Sequence, residues 1–384
     1  DDMECTVSTS ERGGWAVNAA GTQFGSTNDY GFGKTIDPLN DQHVFQFKTV
    51  EDKVYLFSVF AQKYVNMDRS MSDSYTNAIE FIRQADNTFV IKFDDSHFIN
   101  IGGDKQIVIN GWGAKADGTE YDGGNKVTIT NVTEYRDLHP FVTFNYYEGE
   151  TKVASIEKSF DKGHVIAIGD VPGIDDFHQD YAFKTEGAIT ATRGAVVDVS
   201  CVANFPFTPA TIDANGNVTG TWYKLNAHKG TKKVAYTYGS GDNTNRVDFV
   251  EDNGNAKGYW AFVRIAGTAN RFQIYNMACP GVPMTVVKHA SQSNKENYNW
   301  GMLYMEAKAN SINEFVISKN GNDYFNIQIP AELINNNYAT AGNHIDGRFG
   351  FWSSGRQDPL TSDNSKMSVE AVPNVDLDLA KVNV

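Results

Sequence analysis

The sequence is poor in leucine, proline and cysteine. Its 384 residues include 9 Leu, 10 Pro and 3 Cys, but 33 Val, 36 Asn and 34 Gly. Leucine favours helices, whereas valine favours strands and both Asn and Gly favour tight turns. The three cysteines lie too far apart for a metal site and allow at most one disulfide. These proportions predict a β protein with many turns.

Long apolar runs and positive charge are also scarce. No run of about eighteen apolar residues occurs, which predicts that no helix spans a membrane. The 33 basic side chains stand against 47 acidic ones, a formal net charge of −14. That balance repels phosphate groups, so we expect neither a nucleic-acid partner nor an anionic membrane surface. The hydrophobic fraction of 41% is enough for folded cores, and the length predicts two or three domains.

Two parts of the chain present similar landmarks in the same order. Within each part, three units of about forty residues end in an alternating strand, and units of that size cannot bury an apolar face alone. The pattern therefore predicts two closed threefold β assemblies. The matched segments are 45–47 with 260–262, 54–58 with 271–275, 89–91 with 315–317, 98–100 with 324–326, and 126–132 with 366–372.

These units carry a resemblance to a known family. Each copy resembles a divergent β-trefoil of the ricin-B-like lectin superfamily. Segments 204–207, 221–223, 259–262 and 272–276 are also similar to a pattern found in large secreted proteins of glycan-degrading gut bacteria. The resemblance implies the fold and an exported bacterial protein, secreted or held at the cell surface.

Residues between the two copies have a different pattern of short strands and turns. At about seventy residues, this segment resembles a mucin-binding-repeat or immunoglobulin-like spacer. The predicted fold class is therefore all-β, with two β-trefoil-like domains separated by a small β-sandwich-like spacer. The predicted domains are residues 1–135, 136–210 and 211–373, and residues 374–384 begin a further strand or tail.

Motifs for catalysis are missing from the sequence. There is no nucleophile elbow, phosphate-binding loop, zinc-protease helix or dinucleotide turn. A glycosidase needs two facing carboxylates, and spacing alone cannot place such a pair. Asp94 and Asp175 are expected to bond backbone amides in turns, and the eight scattered histidines are expected to be solvated. We expect no enzymatic activity, no metal and no cofactor.

Sugar sites combine an aromatic ring, which covers the apolar face of a pyranose, with amide and carboxylate groups that bond hydroxyls. Trp112 lies beside glycine and Trp352 lies two residues from one, both in polar segments, although core packing is the alternative for both. Trp15, Trp222 and Trp260 belong to alternating strands and are expected in the cores. The Gln-x-Trp motif of the sugar-binding family members is missing, so no family site is carried over. The candidate residues are Asn110, Trp112, Tyr121, Asp122, Asn343, Asp346 and Trp352.

The function predicted from these features is non-catalytic binding of a glycan or glycoprotein by a monomer. Two alternatives stay open. In the first alternative, the chain is an accessory part of a larger glycoside hydrolase. In the second, it is a structural spacer such as an adhesin stalk.

Overall fold

The structure is a computed structural model. It describes residues 3–111, 121–228, 233–237, 245–250, 254–288, 300–307, 311–330, 340–343, 349–352, 363 and 365–373. Within these ranges nearly all of the regular secondary structure is strand, which confirms the all-β class. The exceptions are one α-helix, α1 (Thr133–Leu138), and short 3-10 turns that include Asp41–His43, Ile168–Asp170 and Ala256–Gly258.

Twelve strands make up the N-terminal part of the fold. They are β1 (Glu4–Ser8), β2 (Trp15–Val17), β3 (Phe24–Ser26), β4 (Phe45–Val50), β5 (Lys53–Ser58), β6 (Lys63–Val65), β7 (Met71–Ser72), β8 (Glu80–Arg83), β9 (Phe89–Asp94), β10 (His97–Ile101), β11 (Ile107–Asn110) and β12 (Thr128–Asn131).

Six of these strands close into a ring. Antiparallel pairs join β12 to β1, β1 to β4, β4 to β5 and β8 to β9. Single bridges, Val54 with Ile79 and Phe89 with Val127, connect β5 to the start of β8 and β9 to the start of β12. The other six strands form three hairpins, β2–β3, β6–β7 and β10–β11. A six-stranded barrel with three hairpins is the β-trefoil arrangement, and closure leaves the barrel no free edge.

Aromatic side chains fill the interior of this first barrel. Trp15, Phe24 and Phe45 are at most 1% exposed and meet edge to face, with ring centroids 5.4 to 6.0 Å apart. Edge-to-face pairs add about 0.5–1.5 kcal/mol each beyond the burial of their area. The prediction that Trp15 is a core residue is confirmed.

A four-stranded sheet follows helix α1 in the chain. Its order is β14 (Thr151–Ser159), β13 (Phe141–Glu148), β16 (Ala195–Ala203) and β15 (His178–Phe183). Strand β13 alternates, so that Val142, Phe144 and Tyr146 are fully buried. Gly149 turns the chain into β14 with φ of +58°, a conformation that favours glycine.

The C-terminal part repeats the ring with its own strands. They are β17 (Thr211–Ile212), β18 (Val218–Thr219), β19 (Tyr223–Ala227), β20 (Lys233–Thr237), β21 (Arg246–Val250), β22 (Tyr259–Arg264), β23 (Arg271–Asn276), β24 (Cys279–Pro283), β25 (Thr285–Lys288), β26 (Trp300–Tyr304), β27 (Phe315–Lys319), β28 (Phe325–Gln328), β29 (Thr340–Asn343), β30 (Phe349–Trp352) and β31 (Met367–Ala371).

The ring of this second part runs β19, β22, β23, β27, β28, β31 and back to β19, through antiparallel pairs only. Hairpins β20–β21, β25–β26 and β29–β30 complete the β-trefoil-like arrangement. Phe207 and Phe262 stack at 4.1 Å in its core. Trp260 is fully buried and donates from its indole nitrogen to the Val234 carbonyl at 2.6 Å. Trp222 is 8% exposed, so the core predictions for both tryptophans are confirmed.

The chain divides into two compact units. The first comprises Asp1–Val142, Glu157–Ile166 and Ala188–Ala195, and the second comprises Thr143–Ile156, Ala167–Gly187 and Val196–Val384. The division into domains at 1–135, 136–210 and 211–373, with a tail at 374–384, stays a prediction.

Candidate functional site

The first predicted sugar site lies around the β10–β11 hairpin. Asn110 ends β11 and is exposed. Tyr121 is half-buried, with its ring centroid 5.7 Å from that of Phe98. Trp112 lies outside the described residues. The structure therefore leaves the assignment of this site as a prediction.

Asp122, the fourth residue of that predicted site, has structural contacts of its own. Its two carboxylate oxygens accept hydrogen bonds from the Arg12 guanidinium, and one of them also accepts from the Gly124 amide at 3.3 Å. The hydrogen bond from Arg12 is the main reason that the pKa of Asp122 lies below its usual value. Next to this pair, the buried side chains of Asn100 and Asn125 bond to each other at 3.1 Å. These contacts connect the end of the first barrel to its beginning.

The second predicted sugar site falls on the β29–β30 hairpin. In the backbone register, Asn343 lies opposite Phe349, and Trp352 lies opposite both Thr340 and Trp300. The side chains of Asn343 and Trp352, and the whole of Asp346, lie outside the described part of the structure. This assignment also stays a prediction.

The first unit carries an aromatic surface that the sequence analysis did not identify. In antiparallel pairs, directly opposed residues share one face of the sheet. Tyr55 lies opposite Lys48, Phe57 lies opposite Tyr64, and Tyr64 lies opposite Ser72. The alternate positions of the same strands, among them Phe45, Leu56 and Val65, fill the barrel core. The face with Tyr55 and Phe57 is therefore the outer one, where polar residues are the usual choice.

Four rings form one cluster on this outer surface. We name Tyr55, Phe57, Tyr64 and Tyr75 the tyrosine face. Tyr64 lies at its centre, with ring centroids 6.2 Å from Tyr55, 5.1 Å from Phe57 and 5.8 Å from Tyr75. Tyr55 and Phe57 are each 8% exposed, whereas Tyr75 is 45% exposed. The first two rings thus form a base on which the half-buried Tyr64 and the exposed Tyr75 present their surfaces.

Hydroxyl and amide groups border the tyrosine face. The Asn66 side-chain carbonyl accepts hydrogen bonds from the Ser72 hydroxyl at 3.2 Å and the Thr76 hydroxyl at 2.7 Å. Among the described residues, no hydrogen bond engages the hydroxyl of Tyr64 or Tyr75. Aromatic rings beside unengaged hydroxyls and a fixed amide match the chemistry of a pyranose, which has apolar C–H faces and a polar edge.

The sequence contained a signal for this surface. In a strand with one buried face, apolar residues should occur at every second position. Strand β5 instead reads Val-Tyr-Leu-Phe from position 54, with aromatic side chains at the positions that should be polar. An outer face occupied by aromatics is the anomaly that marks a candidate site.

A second polar cluster lies in the second unit, around His178. Its imidazole is fully buried between Asp175 and Glu148, with one ring nitrogen 2.9 Å from each carboxylate. Both oxygens of Glu148 also accept hydrogen bonds from the Arg264 guanidinium on β22.

The expectation that the histidines are solvated is wrong for His178, and for His43, which is 1% exposed. Asp175 does accept from the Phe177 amide at 2.8 Å, so its predicted turn role is confirmed.

Charge balance explains the protonation of this cluster. Burial disfavours the charged form of His178, but the hydrogen bonds that its ring nitrogens donate to the two carboxylates outweigh burial and raise its pKa. Burial likewise opposes ionisation of Glu148, yet Arg264 and His178 hold its pKa below the usual value. Two cationic and two anionic groups therefore compensate one another. The cluster is therefore a charge-compensated network of hydrogen bonds and ion pairs within the second unit.

A cavity of about 380 Å³ lies beside the network. Glu148, Arg264, Tyr223 and residues 203–209 line it. Tyr223 uses its hydroxyl to accept a hydrogen bond from the Thr208 amide at 2.8 Å, and Phe207 is 5% exposed. Because Glu148 and Arg264 bond to each other, the charges at the cavity wall are already paired.

The described ranges contain neither a metal-binding cluster nor a membrane-spanning helix. No group of three or more His, Cys, Asp or Glu side chains there is placed to hold a metal ion. No described helix is both long enough and apolar enough to cross a membrane. The three cysteines, Cys5, Cys201 and Cys279, are free thiols.

No protein-family model matches the sequence, and no curated protein matches it. Solved structures give remote similarities at a TM-score of 0.29. One is a designed 3-fold symmetric protein, ThreeFoil, at 13% identity over 39% of this chain and 99% of that one. Another is a Polyporus squamosus lectin, at 14% identity over 40% of this chain and 50% of the lectin. A mosquitocidal holotoxin matches at 10% identity over 96% of this chain and 50% of the toxin. Similarities of this size do not bear on function.

Proposed function

We propose that the chain is a non-catalytic carbohydrate-binding protein and that the tyrosine face of its first unit holds the sugar. The observation that carries this proposal is the outward position of four packed aromatic rings on a barrel whose core is already complete. Packing of the barrel does not require rings at these positions, and Tyr75 keeps 45% of its surface exposed. A pyranose stacked on Tyr64 and Tyr75 would cover that apolar surface and place its hydroxyls near Thr76 and Ser72.

The remaining parts of the proposal rest on the sequence. An exported bacterial protein that acts at the cell surface, with further sugar contacts at Trp112 and Trp352, agrees with the resemblance to ricin-B-like lectins. A glycan or glycoprotein is the proposed partner of a monomeric chain. An accessory role beside a glycoside hydrolase is compatible with the same binding surface.

The test is binding of the purified chain to a glycan array, with wild type compared with the double variant Tyr64→Ala/Tyr75→Ala. Loss of two stacking rings should weaken retention at least about fivefold, because each ring contributes on the order of 0.5–1.5 kcal/mol beyond its area. Tyr135→Ala is the matched control, since Tyr135 is also 45% exposed but lies in helix α1.

Unfolding curves should show that the double variant still folds, because both rings lie outside the barrel core. Equal retention by wild type and the double variant would reject the tyrosine face as the sugar site. Turnover of aryl glycosides by the wild-type chain would instead support a hydrolase.

A further inference from the structure

The sheet beneath the tyrosine face has an unusual charge for this protein. Acidic side chains outnumber basic ones by 47 to 33 in the whole chain. Strands β4 to β7, however, read FQFKTV, KVYLFS, KYV and MS, with three lysines and no Asp or Glu. Strands β4 to β7 therefore carry only positive charge, although the chain as a whole is acidic.

Two of these lysines belong to the outer face. Lys48 lies opposite Tyr55, and Lys53 opposite Val50, so both share the side of the sheet that carries the tyrosine face. The third lysine, Lys63, lies opposite the buried Ser58 and therefore belongs to the other face of the sheet. The acidic residues next to these strands lie in exposed connections, Glu51 and Asp52 between β4 and β5, Asp68 between β6 and β7, and Asp73 directly after β7.

Lys48 is held at the border of the ring cluster. Its ammonium nitrogen lies 3.7 Å from the ring centroid of Phe57, which is a cation–π contact. Phe57 in turn contacts Tyr64, with ring centroids 5.1 Å apart, so the charge lies beside a ring that neighbours Tyr64. No carboxylate among the described residues pairs with it. The charge is thus fixed in position and still available to an anion.

We propose that the tyrosine face selects acidic saccharides, with the sugar ring on Tyr64 and Tyr75 and its carboxylate beside Lys48. This inference rests on the proposed function and adds the ligand class to it. An ammonium group near a carboxylate favours the anionic sugar over its neutral counterpart, and the low exposure of the ring base reduces screening by solvent.

The test uses matched pairs of sugars that differ in charge: galacturonate and galactose trisaccharides, glucuronate and glucose disaccharides, and sialyllactose and lactose. Affinity is measured by titration calorimetry or NMR at low salt. For the pairs that bind, we expect the acidic member to bind about five- to tenfold more tightly to wild type. The preference should shrink in 0.5 M salt, because ionic screening weakens the charge contact.

Three variants separate charge from packing. Lys48→Met should abolish the preference and leave binding of the neutral sugar within about twofold, whereas Lys48→Arg should keep it. Lys63→Met should also keep the preference for the acidic sugar, because Lys63 belongs to the other face of the sheet. Equal binding of acidic and neutral sugars, or a preference that survives Lys48→Met, would overturn the acidic-sugar inference and leave sugar binding itself intact. Failure of every acidic sugar to bind would overturn the acidic-sugar inference, whereas failure of the chain to retain any glycan on the array would overturn both proposals.

Discussion

The network around His178 allows a quantitative prediction for Arg264→Met. The substitution keeps most of the side-chain length and removes the guanidinium that bonds both oxygens of Glu148. Removing one member of a buried ion pair costs about 3–5 kcal/mol, because the remaining charge stays buried without its partner. Glu148 is 23% exposed and keeps its contact with His178, so we expect a smaller loss, about 2–3 kcal/mol.

The assay is scanning calorimetry of the wild type and the variant. A loss of 1 kcal/mol lowers Tm by about 2–4 °C in a domain of 150–250 residues, so a loss of 2–3 kcal/mol predicts roughly 4–12 °C for the second unit. Arg83→Met is the matched control, because Arg83 is exposed and its side chain, among the described residues, hydrogen-bonds only Asn87. Its Tm should change by less than about 2 °C.

A double variant tests the reasoning behind that number. Adding Glu148→Leu to Arg264→Met removes both charges of the pair, so part of the lost stability should return. His178 then keeps only Asp175, which limits the recovery. The reasoning is refuted if Arg264→Met unfolds at the wild-type temperature, or if the losses of the two single variants simply add.

Three further predictions concern pH, the barrel closure and the predicted tryptophans. The pKa of His178 is raised above 6.5, so its contribution to stability is complete below pH 6.5 and is lost as the pH rises through the raised pKa. The Tm of the wild-type second unit should therefore fall as the pH rises from 6.5 through that pKa. The Tm of His178→Gln should fall less over the same pH range. Asp122→Asn should destabilise the first unit by about 1–2 kcal/mol in urea unfolding, through the weaker contact with Arg12; no change would contradict its structural role. A Trp112→Ala/Trp352→Ala variant should lose glycan retention with an unchanged melting transition, and unchanged retention would reject these two residues as sugar contacts.

Alternation and turn residues were sufficient to predict the fold class. The landmark pairs 45–47 with 260–262, 54–58 with 271–275 and 126–132 with 366–372 also occupy equivalent positions in the two rings, namely β4 and β22, β5 and β23, and β12 and β31. Each pair belongs to strands at the start or the end of a ring.

In the middle of the rings, the predicted correspondence was wrong by one strand. Segment 89–91 belongs to β9, the fifth strand of the first ring, whereas segment 315–317 belongs to β27, the fourth strand of the second ring. Both segments read Phe-Val-Ile. Ring strands all alternate in the same way, so a three-residue pattern cannot distinguish neighbouring positions.

The candidate sites were less predictable than the fold. The buried His178 bonds Glu148, 30 residues away in sequence, and Glu148 also bonds Arg264, which lies 116 residues from it. Such partners meet only through tertiary structure. Prediction of the tyrosine face also requires the strand register, because a register shift of one residue would move Tyr55 and Phe57 into the core.

The most direct test of sugar binding at the tyrosine face is an NMR titration of the chain with ring-¹³C-labelled tyrosine. Tyr64→Phe and Tyr75→Phe variants assign the two resonances among the 18 tyrosines. On addition of a sugar that the chain retains on an array, the ring signals of Tyr64 and Tyr75 should shift in proportion to occupancy, while those of the buried Tyr146 and Tyr259 stay in place. Saturable shifts confined to other tyrosines, with Tyr64 and Tyr75 unchanged, would contradict the account.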